Sequence, residues 1–114
     1  MSEPRLATEF WVMACVRRGN VEGIPVTVLR KGDPLRGSVL VKLMRFEAGC
    51  VVLAETRDAK GARAWMQGTG REPVDEKTAD AYIARNRKYD PDLWVIEVED
   101  RTGRLPFDEK VLEI

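Results

Sequence analysis

The sequence predicts an α+β fold of two layers, a mainly antiparallel sheet of four to five strands and two helices, in the order α-β-β-β-β-α-β. Three observations carry this. Apolar residues alternate over 38–46 and again after Asp92, which is the period of a strand. Turn-forming clusters at 31–37, 47–49 and 58–61 divide strand-like runs at the spacing of a meander. The segments near 8–18 and 76–88 carry helix start and stop signals and do not alternate with every strand. With 114 residues, 44% of them hydrophobic and 33% charged, the chain suits a single globular domain over 1–114.

Thr8 stands where it can cap a helix with its body over 9–18. Glu9 is early and Arg17 and Arg18 are late, as the helix dipole favours, and Gly19 or Gly23 ends it. Phe10, Met13 and Ala14, flanked by Trp11 and Val16, form the expected apolar face. A strand follows at 24–30. The 31–37 stretch is a loop, because Pro34 excludes a mid-sheet position. In strand 38–46, Val39, Val41 and Leu43 share a face, and Lys42 interrupts the other. Strand 50–57 pairs back as a hairpin, and 62–67 adds a third meander strand with Trp65 on the core.

After a loop over 68–74, Asp75 caps a helix over 76–88 that buries Ala79, Tyr82 and Ile83. Arg85, Arg87 and Lys88 complement its C-terminal dipole end. Asp90-Pro91 stops it, since the residue before proline is biased against the αR conformation. A strand over 93–98 follows, with Trp94, Ile96 and Val98 on one well-buried face. Residues 99–103 turn, and the tail 104–114 adds a short strand or packs along an edge.

The sequence contains no histidine. That removes Ser-His and Cys-His nucleophile pairs, imidazole bases and histidine metal sites. Cys15 and Cys50 alone cannot make a four-ligand zinc site; inside apolar segments they are expected to be buried free thiols of a reducing cytosol. No glycine pattern matches a phosphate or dinucleotide loop. No apolar run approaches the ~20 residues of a membrane helix, and the N-terminus lacks the features of a signal peptide. Neither a catalytic constellation, a cofactor nor a metal is therefore expected.

Asp90, Asp92, Glu97, Glu99 and Asp100 are the densest acidic group, but an apolar strand divides them, so solvated charges are expected rather than a calcium loop. The net charge of zero divides unevenly: residues 1–45 carry +4 and residues 46–114 carry −4. Arg17, Arg18, Arg30, Lys31, Arg36, Lys42 and Arg45 would form a basic surface if the fold gathered them. Within it, Arg30, Lys31, Asp33 and Arg36 are the candidate anion site, around a Gly-Asp-Pro loop. Stacking aromatics for single-stranded nucleic acid are missing there. Trp11, Trp65 and Trp94 are read as core.

The blocks "GDP", "SVLVKL", "RAWM" and "ADAYIARNRKYDPDLWVIEVEDRTGR", taken together, resemble the bacterial domain-of-unknown-function family numbered 1491, over residues 6–108. The resemblance implies a small, cytoplasmic, single-domain bacterial protein. It implies no activity, so no functional residue carries over. The expectation is a non-enzymatic binding or adaptor domain with a protein partner, or one that self-associates through a sheet edge or the first helix. The alternative is an anion- or nucleic-acid-binding protein using the basic N-terminal half.

Overall fold

Residues 7–112 are described by a computed structural model of the chain. Helix α1 spans Thr8–Glu22, and its N-terminal amides are satisfied from outside the helix. Thr8 and Glu9 donate their backbone N–H groups to the carbonyls of Leu35 (3.4 Å) and Pro34 (2.9 Å). Thr8 does not cap: Ala7 holds the cap position, and the Thr8 hydroxyl donates to the Gly37 carbonyl at 2.7 Å. The 31–37 loop therefore does the work expected of a capping side chain. Gly23, at φ +74°, ends the helix in the left-handed conformation, five residues beyond Arg18. Arg17 and Arg18 thus lie mid-helix.

The expected apolar face of α1 is corrected. Trp11, Val12, Cys15 and Gly19 are buried, whereas Phe10, Met13 and Ala14 are exposed. Apolar residues run uninterrupted from Phe10 to Val16, so the pattern marks no single face, and packing selects the one carrying Trp11.

The strands are β1 (Val26–Arg30), β2 (Val39–Met44), β3 (Cys50–Arg57), β4 (Arg63–Gln67), β5 (Trp94–Glu99) and β6 (Val111–Leu112). They form one mixed sheet of six strands in the order β1-β5-β2-β3-β4-β6. The meander β2-β3-β4 is antiparallel as expected. The expectation of four to five mainly antiparallel strands is corrected on two counts. β5 inserts between β1 and β2, antiparallel to the former and parallel to the latter, and the tail forms the short strand expected of it, β6, parallel to β4, which brings the count to six. Trp94, Ile96 and Val98 on one face of β5 and Val95 on the other are all buried. Such a strand is most stable in the middle of a sheet.

The two-layer arrangement is corrected as well. One core gathers Trp11, Val12 and Cys15 of α1 with Val39, Val41, Leu53, Trp65, Trp94 and Ile96. A second gathers Ala79 and Ile83 of helix α2 (Glu76–Tyr89) with Leu40, Cys50, Val52 and Val95. The helices therefore cover opposite faces of the sheet. β2, β3 and β5 are apolar on both faces, and a single helical layer would leave one of them wet.

Asp75 caps α2 as expected, accepting from the Thr78 N–H at 2.8 Å, which holds its carboxyl below the usual aspartate range. The chain after β5 returns along the α1 face. There Phe107 packs on Trp65 and Trp11, with ring centroids 5.0 and 5.4 Å apart.

Candidate functional site

The 31–37 loop is built into the fold. Asp33 Oδ2 accepts from the amides of Arg36 (2.7 Å) and Leu35 (3.2 Å). The Asp33 N–H donates to the Asp92 carbonyl, and the Gly37 N–H to the Asp33 carbonyl. A Cβ on Gly32 or Gly37 would collide with the Asp92 backbone, so close approach requires glycine at both positions. These amides are committed internally, which leaves only the exposed side chains of Arg30, Lys31 and Arg36 for an anion.

The basic group does not form one surface. Arg18 pairs with Glu22 and Asp108 on the α1 side, and Arg45 donates to the Arg101 carbonyl. Lys42 lies on the opposite face and is only 3% exposed. Its ammonium meets Asp80 at 2.7 Å, Glu76 at 2.8 Å and Glu97 at 3.4 Å. Burial opposes the charge, but the hydrogen bonds to Asp80 and Glu76 and the field of the carboxylates outweigh it. The pKa is therefore held above the ordinary lysine value. A lysine kept protonated in this way is an internal counterion, not a nucleophile.

The acidic group also disperses. Asp90 accepts from the Asp92 amide in the turn, Glu97 turns to Lys42, and Asp100 is bonded by Arg104 and Thr102. The Arg104 and Thr102 hydrogen bonds hold the Asp100 carboxyl far below its usual range.

A concavity of about 470 Å³ lies between β1 and α2. α2 packs over β2 and β3, so the α2 face near β1 and β5 is left partly open. Leu29, Ile83, Ala84 and Val95 supply apolar lining, and Arg30, Arg87, Lys88 and Asp80 supply charge. Asp80 is already engaged by Lys42, so the free charge at the groove is positive. Leu29, on the edge strand β1, is 42% exposed. Arg87 Nε is buried and has no hydrogen-bond partner, a state that folded proteins rarely leave unrelieved.

A larger concavity of about 870 Å³ is lined by Gln67, Thr69, Arg71, Glu72 and Val74 with Gly70 and Val111. Its charges, Arg71 and Glu72, oppose each other and give no net preference for a ligand, so the smaller groove is the better-built site.

A family model described as "Protein of unknown function (DUF1491)" matches residues 6–108. The chain belongs to the DUF1491 family. A DUF1491 family protein from Caulobacter crescentus CB15, solved by crystallography, is similar at 42% identity and a TM-score of 0.84, covering 95% of this chain and 100% of that one. The NMR structure of a DUF1491 family protein from the same organism gives 41% and 0.82, covering 97% and 100%. The solution structure of a protein from A. tumefaciens, 22% identical, has a TM-score of 0.73 over 93% and 97% of the two chains, a likeness of fold alone. No functionally curated protein matched the chain. The DUF1491 description assigns no activity, so the site is argued from geometry.

In this DUF1491 chain, of the residues expected at an anion site, only Arg30 lines the groove. The helix dipole explains Arg87 and Lys88 at the end of α2 equally well. The only signal that separates the two roles is their return to the β1 edge, and that is tertiary.

Proposed function

We propose that this DUF1491 chain is a non-enzymatic binding domain of the bacterial cytoplasm that holds an acidic segment of a partner protein in the β1–α2 groove. The observation that carries the reading is the combination of apolar lining and a three-cation rim, with Arg87 Nε buried and unpartnered. The lining fits a few aliphatic or aromatic side chains, and the rim fits carboxylates beside them. Two free, buried cysteines suit a reducing compartment, and the similar DUF1491 family proteins from Caulobacter crescentus favour a bacterial setting. No helix among the described residues is long and apolar enough to cross a membrane.

The test is selection from a random peptide display library on the parent, with counter-selection on a variant carrying Arg30→Glu, Arg87→Glu and Lys88→Glu. The expected winners place Asp or Glu beside Leu, Ile or Phe and lose binding to the variant. Winners without acidic residues, or ones that bind both proteins alike, would overturn the reading. Polyanion binding that instead depends on Lys31 and Arg36 would favour the exposed loop as an anion or nucleic-acid surface.

A further inference from the structure

The outer face of α1 is the second feature the fold leaves unused, and it lies on the opposite side of the sheet from the groove. Phe10 is 65% and Met13 50% exposed, although the sheet-facing side of the same helix is closely packed. At 3.6 residues per turn, Phe10, Met13, Arg17 and Val21 follow one line along the helix, with Glu9 beside it. Val21 is also largely exposed. Glu9 and Arg17 are exposed and make no ion pair among the described residues. They lie at equal distances along the chain on either side of Met13.

That placement makes the face complementary to itself. If a second copy is turned about a two-fold axis through Met13, its helix runs antiparallel to the first. Glu9 of each copy then meets Arg17 of the other, twice over, while Phe10 and Met13 of both copies close the middle. Arg17 also comes to lie against the other copy's Phe10 ring, a favourable cation–π arrangement. A parallel pairing would instead bring like charges together. A two-fold interface must present the same patch from both sides, and this patch carries both halves of its own charge pattern. We infer that the outer face of α1 is a self-association surface on which two copies pair as antiparallel helices around Met13.

A face this small falls below the ~1,200 Å² of a standard interface, so the association is expected to be weak and concentration-dependent. The inference does not depend on the ligand proposed for the groove.

Sedimentation equilibrium of the full chain tests it. From about 10 µM to about 1 mM the parent's average mass should rise with concentration, as mass action requires, from 12.9 kDa toward twice that. Glu9→Arg alone and Arg17→Glu alone each place like charges at both contacts and should weaken dimerisation by about 10-fold or more. An equimolar mixture of the two variants should recover the parent's mass profile, because each altered charge then meets its opposite. Met13→Lys, at an exposed position, should abolish association with the helical circular dichroism unchanged.

A parent that stays monomeric at the highest concentration would overturn the inference, and the face would then await a different protein. A mixture that associates no better than either variant alone would overturn the antiparallel pairing itself. If either charge variant fails to fold, the parent's own profile and Met13→Lys still decide.

Discussion

The indole N–H of Trp94 donates to the Asp33 carbonyl over 2.8 Å, tying the first residue of the interior strand β5 to the 31–37 loop. The same loop accepts the N-terminal amides of α1, so one tryptophan links the strand, the loop and the start of the first helix. Gly32 and Gly37 allow the contact by leaving room beside the Trp94 ring.

Trp94→Ala should therefore cost roughly 3–5 kcal/mol, as aromatic truncations in cores do. Trp94→Phe keeps most of the packing, and Asp33 still accepts from Gly37, so its cost should be about 1 kcal/mol for the lost hydrogen bond. Urea denaturation of both variants checks this order. An alanine variant that melts within a few degrees of the parent would contradict it.

Lys42 supports a prediction with a definite pH sign. Its folded pKa is raised above the ordinary value of 10.5. The stability it contributes is fully present below that ordinary value and is lost as pH rises through the higher folded one. Lys42→Met should cost about 1–3 kcal/mol at neutral pH. The cost is held down because the Glu76 and Asp80 side chains are about half exposed and can return to water, while Glu97 is stranded at 16%. Melting temperature against pH should fall less steeply above pH 10.5 in the variant than in the parent. Parallel curves would contradict the role of the ion cluster.

The cysteines should be unreactive in the native state. Burial, helped by the charge of Glu109, pushes the Cys15 thiol up to about 12, and burial raises Cys50 as well. Since the thiolate is the reacting form, a thiol reagent should modify neither native cysteine and both after denaturation. Fast labelling of either in the native protein would contradict their placement in the two cores.

What was legible in the sequence was local. The β2-β3 hairpin, the Asp75 cap and the helix stop at Asp90-Pro91 each follow from neighbouring residues. The parallel pairing of β2 with β5 joins Val41 to Ile96, and no local signal fixes which strand fills the centre of a sheet. α1 misled because it is apolar on nearly every side, so its buried face is decided by the sheet beneath it. Lys42 stood out as a lone cation in an apolar strand, but its acidic partners arrive from α2 and β5. The groove was illegible for a similar reason: Arg30 and Arg87 are far apart in the chain, and Arg87 already had a local explanation.

The measurement closest to the central claim is a ¹⁵N chemical-shift titration of the full chain with a selected acidic, apolar peptide, followed at increasing salt. Shifts are expected at the groove residues Leu29, Arg30, Ile83, Ala84, Arg87 and Lys88. The affinity should fall as salt is raised, because the rim charges are screened. Arg30→Ser with Lys88→Ser, both at exposed rim positions, should abolish those shifts and leave the melting temperature nearly unchanged, since exposed charges contribute little stability. Shifts centred on the 68–74 loop or on Lys31 and Arg36, or binding indifferent to the double variant, would contradict the account.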